Sequence, residues 1–319
     1  MAYWLFSQIR DKSRKPQFAV QSTLNWMDAL RYEIDAAHGT SAADQFASCA
    51  SFFRVNVQPT QNPIHADDIF EPLFSSLNYC SGAILMAETM AASTCVQPTA
   101  IVNWYYSVYS AARSMFAAVG QSVGDNHASA ANAFAAQLRQ HLPHPLNMVA
   151  THNKNQDYSP ALPTFPSAQT YDLQKAVSNS RPNAQGMLVQ YLKGTATYYV
   201  DRTKETLNLP EFRTAVAKAA LVKKLRKQIG FLHCAFRYRG KANYRDAIYL
   251  TYGSRIPHGS TEFLDNLATV SRFVFLCAAA FAQRHAGAAM TADFSADLRQ
   301  NLRGLNRGPA SLRFWEGLF

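Results

Sequence analysis

Two short stretches carry side chains suited to handling a phosphate. Arg226-Lys-Gln-Ile-Gly-Phe-Leu-His233 sets an arginine and a histidine seven residues apart. That is about two turns of a helix, which puts both on one face. A guanidinium stabilises charge developing on a phosphate, and an imidazole moves the proton of a 2′-hydroxyl; together they are a set for cleaving RNA without metal. The same spacing equally suits a phosphate-contacting or solvated arginine beside a partly buried histidine. The second stretch is Arg239-Gly-Lys-Ala-Asn-Tyr244-Arg245-Asp246. Gly240 predicts a helix break, and the backbone N–H groups of a new helix start beside Arg239, Lys241 and Arg245 would hold a phosphate-sized anion. An Arg–Asp network that only fixes the helix junction fits the pattern as well.

The charge distribution draws attention to the same region. The net charge is +10, and residues 202 to 245 hold twelve basic side chains against two acids, Glu205 and Glu211. The remaining residues balance, with nineteen of each sign. A segment carrying the entire net charge is a candidate contact for a polyanion such as RNA, with Lys223, Lys224, Lys227, Lys241 and Arg245 holding flanking phosphates. The competing reading is a solvated helix face.

Other chemistries find little support. There is no P-loop, no GxGxxG after a strand, no HExxH and no GxSxG. The histidines show no helical metal-ligand spacing, and the five cysteines, at 49, 80, 95, 234 and 277, form no CxxC pair. Neither a metal nor a cofactor is expected, and the cysteines read as buried free thiols of a reducing cytoplasm. No N-terminal signal pattern is present, and the run from Cys80 to Ala92 is too short to span a bilayer, so no membrane association is expected.

The elements that must position these residues read as helices. Residues 16–37 form an amphipathic pattern opened by Pro16 and closed by Gly39; "SAADQFASCASFFRV" is a second helix and Asp67 to Met90 a third. Ile101, Trp104, Tyr105, Val108, Ala112, Met115, Phe116 and Val119 recur at intervals of three and four, and Gly120 stops that helix as a left-handed cap. Residues 121 to 126 connect it to another helix through an Asp-Asn pair suited to capping. From 141 to 182 six prolines lie among polar residues, which predicts a long loop. Beyond Pro210, Leu221, Leu225, Ile229, Leu232 and Phe236 predict one continuous helix. Residues 261–285 are apolar on most sides and therefore buried, and the terminal "FWEGLF" is expected to dock on the body. No alternating strand stands out. The predicted class is all-α, with an N-terminal helical region over 1–100, a bundle over 101–285 with an insert at 141–205, and a basic tail at 286–319.

"NWYYSVYSAARSMFAAVGQSVGDNHASAANAF", from Asn103 to Phe134, resembles the first helical pair of HEPN domains, with its tyrosine pair, Ala-Ala-Arg step, glycine and following histidine. "FRYRGKANYRDAIYLTYG" is similar to the next family segment, and Thr261 to Arg284 to the last family helix. The likeness covers about residues 101–138 and 236–285, with a looser one to the YaaC-like proteins of bacteria. It implies a helical bundle, a homodimer, and a metal-independent ribonuclease of a toxin or phage-defence system with a further protein partner. By that resemblance Arg239 falls on the family's catalytic arginine and Tyr244 where an active member carries histidine. A tyrosine titrating near 10 is a poor general base at neutral pH unless strongly perturbed; either His233 or Tyr244 takes the proton, or the chain is an inactive module binding a partner protein or a nucleotide. His127, in the first helical pair, is expected to be a capping or buried hydrogen-bonding residue rather than a catalyst.

Overall fold

A computed structural model describes residues 16–90, 93–124, 126–152, 160–165, 180–209, 211–243, 250–251, 261–302 and 315. The described chain is mostly helical. The helices are α1 (Pro16–His38), α2 (Ala42–Asn56), α3 (Ala66–Met90), α4 (Gln97–Ala118), α5 (His127–Ala133), α6 (Arg181–Leu207), α7 (Ala215–Lys224), α8 (Phe231–Asn243) and α9 (Phe263–Leu302). Three short strands, β1 (Val149–His152), β2 (Pro160–Ala161) and β3 (Gln228–Gly230), form an antiparallel sheet in the order β2-β1-β3.

Local chemistry fixes several boundaries where the sequence places them. Gly39 and Gly120 take φ of +83° and +70°, a region that costs a β-carbon energy, and each ends a helix. Asn126 caps α5, its side-chain oxygen accepting from the N–H groups of Ala128 and Ser129. Ser41 caps α2 in the same way through Asp44. The helix α9 bends at Gly287, whose φ is +86°.

One hydrophobic core runs from Val20 to Trp315, so helices on both sides of residue 100 build it together. At its centre Trp26 of α1 stacks on Tyr191 of α6 at 4.2 Å and meets Trp104 of α4 edge-on at 5.8 Å. Tyr238 of α8 lies 4.9 Å from Trp26 and donates its hydroxyl to the Thr23 carbonyl, 2.7 Å away. These aromatic contacts, each favourable beyond its buried area, tie α8 to the rest of the bundle. α9 is long and apolar enough to cross a bilayer by length and composition, and 89% of its apolar window is buried inside the bundle. Trp315 docks on its end, donating to Ser295 Oγ at 3.2 Å and packing edge-on against Phe294.

A buried carboxylate joins α1 to α6. Glu33 accepts from His144 (2.9 Å), Arg181 (3.3 Å) and Gln185 (3.4 Å). Burial opposes its charge, but the hydrogen bonds from His144 and Gln185 outweigh it and hold the carboxyl below its usual range. His38 fastens the same corner: its Nε2 donates to the His144 carbonyl (2.6 Å), so Nδ1 accepts from the Ser48 hydroxyl (2.8 Å).

Three sequence expectations are corrected. The apolar line from Leu221 to Phe236 is not one helix: α7 ends at Lys224, Leu225 is extended (φ −63°, ψ 140°), and β3 intervenes before α8. Pairing of Ala150 with Ile229 across the sheet gives that backbone partners a helix would not. Gly240 does not break α8, which continues to Asn243. The region from 141 to 182 is also not all loop, since β1 and β2 fall within it; strands of four and two residues are too short to print an alternating pattern. Of the five cysteines, Cys49, Cys80, Cys234 and Cys277 are buried and Cys95 is exposed.

Candidate nucleic-acid interface

The end of α7, the turn to β3 and the length of α8 carry the basic segment. Lys223 and Lys224 lie in the last turn of α7, where the helix dipole favours cations. Both are exposed, as is Lys227 in the turn before β3. No described acidic side chain pairs with any of the three. Of the two acids in the segment, Glu205 is already bound to Arg202 at 2.7 Å.

The arginines have a different environment. Arg226 lies over the Tyr199 ring of α6, 4.0 Å from its centroid. Its Nη1 and the Tyr199 hydroxyl are both buried, and the guanidinium and the hydroxyl interact with each other. Burial pushes the Tyr199 phenol up to about 12 against the pull of the Arg226 charge, so it stays neutral. Arg237 of α8 sits between Tyr191 (5.5 Å) and Tyr198 (5.3 Å), steadied by a hydrogen bond to Thr195 Oγ1 at 3.2 Å. Lys241, one turn further along, lies 5.9 Å from the Tyr191 ring. Arg239 faces the opposite side, over Tyr105 (4.9 Å), Tyr106 (5.8 Å) and Phe236 (5.3 Å), and donates to the Tyr106 hydroxyl at 3.2 Å. Its Nε is buried without a described partner. None of these three guanidinium groups has a described carboxylate partner.

His233 does not share a helix face with Arg226, because Arg226 precedes β3 and His233 lies in the first turn of α8. The imidazole is fully buried. The Gly230 N–H donates to Nδ1 (3.2 Å), which leaves the ring proton on Nε2 to donate to Asn132 Oδ1 (3.0 Å). The histidine thus reaches back to the residue before its own helix, as the third residue of a capping box does. Burial, helped by the Arg226 charge, drives its pKa down to about 3. It is a neutral structural imidazole with both nitrogens occupied, a geometry that gives it no lone pair for a 2′-hydroxyl proton. Tyr244 and Arg245 lie outside the described residues. Gly240 opens no new helix, since Arg239 and Lys241 lie within α8, and the rest of the expected phosphate cradle lies outside the described residues.

An imidazole expected from the sequence to be only a capping or hydrogen-bonding residue does lie beside the Arg239 tyrosines. His127 opens α5, and its Nδ1 is 2.9 Å from the Tyr105 hydroxyl. The ring stacks near Phe236 at 5.7 Å and lies 4.4 Å from Tyr109. Burial holds the Tyr105 phenol well above its usual value, so it stays neutral within its hydrogen bond to His127. Only the chain reversal between α4 and α5 brings these groups together with α8, and no spacing in the sequence announces it. Elsewhere, a cleft of about 310 Å³ between α3 and α4 is lined by Asp68, Glu71 and Arg113 among others. Among the described residues no three His, Cys, Asp or Glu side chains are grouped to hold a metal ion.

No family model, curated protein or solved structure matches this chain.

Proposed function

We propose that this protein binds RNA through its basic segment, Lys223, Lys224 and Lys227 contacting backbone phosphates at the rim and the stacked arginines supplying a positive field behind them. The observation that carries the reading is that Lys223, Lys224, Lys227, Arg226, Arg237 and Arg239 have no described carboxylate partner, the lysines exposed and the arginines set against aromatic rings. Partly buried cations without counter-ions leave an unbalanced potential, and a polyanion releases condensed counterions when it meets them. The HEPN resemblance adds the setting of a homodimeric toxin or phage-defence component. Affinity for an unstructured RNA is expected to fall steeply with salt. Changing Lys223, Lys224 and Lys227 together to glutamine should flatten the log–log salt slope by roughly 0.7 for each phosphate that is no longer neutralised. Salt-insensitive binding, or a slope untouched by the triple change, would reduce these lysines to a solvated face.

A second reading, metal-independent RNA cleavage, is favoured by one geometric fact: Arg239 and His127 contact the same tyrosine, Tyr105. Arg239 would hold the phosphate charge and His127 would exchange the proton. Incubation with total RNA and chelator tests it. Cleavage lost in both Arg239→Ala and His127→Ala, and kept in Tyr244→Phe, supports this pair; binding without any cleavage leaves the protein an RNA-binding module.

A further inference from the structure

The rings and cations on the α6–α8 face alternate in space. Arg226 lies on Tyr199; Tyr199 meets Tyr198 edge-on at 5.2 Å; Arg237 lies against both Tyr198 and Tyr191; Lys241 approaches Tyr191. The three tyrosines differ in one respect. Tyr191 and Tyr199 are buried, at 2% and 7% exposure, whereas Tyr198 is 39% exposed. Its ring has Arg237 over it and Tyr199 edge-on against it, and the remainder is open to solvent.

We propose that Tyr198 is a base-stacking position, and that it makes this interface selective for single-stranded RNA over duplex. The inference rests on the RNA-binding reading above and adds the form of the nucleic acid. An exposed aromatic ring among cations is the arrangement by which proteins hold single strands: bases stack on the ring while the cations take the phosphates on either side. Every base has a π-face, so the contact tolerates any sequence. A duplex keeps its bases stacked on one another and offers this ring only backbone. The lysine rim, by contrast, acts on phosphates of either form.

The experiment compares an unstructured RNA of about 12 nucleotides with an RNA duplex of about 12 base pairs, spanning a typical single-strand site, by fluorescence anisotropy at one fixed salt concentration. The wild type is expected to prefer the single strand. Tyr198→Ala should weaken single-strand binding by about 5- to 150-fold, the range for removing one base–aromatic stack, and leave the duplex unchanged within about two-fold. Tyr198→Trp should retain single-strand affinity, and Tyr198→Leu, which keeps apolar area without a π-face, should behave as alanine does. The salt slope should stay at its wild-type value in all three, since every phosphate-binding cation is kept. Equal weakening of both ligands, no weakening of either, or a wild-type preference for duplex overturns the proposal while salt-dependent binding still upholds the reading beneath it. Absence of salt-dependent binding to both RNAs overturns the two together.

Discussion

The basic segment divides into two regions that a charge count treats as one. At the rim, Lys223, Lys224 and Lys227 keep their ammonium groups in water. Behind it, Arg226, Arg237 and Arg239 set their guanidinium groups over the rings of Tyr199, Tyr191, Tyr198, Tyr105 and Tyr106, 4.0 to 5.8 Å from the centroids. The side chains explain the division. A strongly hydrated ammonium resists desolvation, whereas a planar, weakly hydrated guanidinium stacks on a ring and keeps its in-plane N–H groups as donors. The rim is therefore replaceable without harm to the fold, and the stacked bank is part of the fold. That contrast is measurable.

The largest effect belongs to the imidazole under the bank. His233→Ala should lower unfolding free energy by about 2–5 kcal/mol in urea titrations, because it strands the buried Gly230 N–H, removes the bond to Asn132 and leaves a small void. A loss under about 1 kcal/mol would mean that these hydrogen bonds are not what starts α8.

Acid should reveal the same group. Its folded pKa, near 3, lies below the ordinary histidine value of 6.5, so the unfolded chain takes up the proton first. Its contribution is fully present above about pH 6.5 and is lost as pH falls toward 3. Stability at pH 5 should be about 2 kcal/mol below that at pH 8 from this group alone. A His233→Gln variant should show a shallower decline over that interval, and an unchanged profile would place the acid sensitivity elsewhere.

Within the bank, Arg239→Lys keeps the charge and loses the flat face. It should destabilise by about 1 kcal/mol, the scale of a partly desolvated cation–π contact. The smallest effect is expected at the rim, where changing Lys223, Lys224 and Lys227 to glutamine should each alter stability by less than about 0.5 kcal/mol. A rim variant that unfolds easily would erase the distinction between the two regions.

Much of the helical frame was legible because its signals are local. Gly39, Gly120 and Asn126 act on the backbone beside them, so residue type alone marks the boundary. The apolar period of α4 and of the first half of α9 was equally readable, and both are buried as that period requires. The run from Leu221 to Phe236 misled for a physical reason. Its four-residue spacing suits a helix, but Ile229 finds a better partner in Ala150, far away along the chain, and no local rule weighs that pairing. The candidate site suffered most from the error. Arg226 and His233 were joined by an assumed helix face, while His127, distant in sequence from Arg239, was assigned no place in it.

By itself the sequence determined the helical class, the caps and the placing of the whole net charge within residues 202 to 245, since composition and short-range hydrogen bonding settle these. Only the tertiary structure decided which cations stay in water and which stack on rings, that His233 is neutral and enclosed, and that Tyr198 alone of the three α6 tyrosines stacked against Arg226 and Arg237 faces solvent. Those outcomes depend on desolvation, and desolvation is set by what packs alongside a residue from distant parts of the chain.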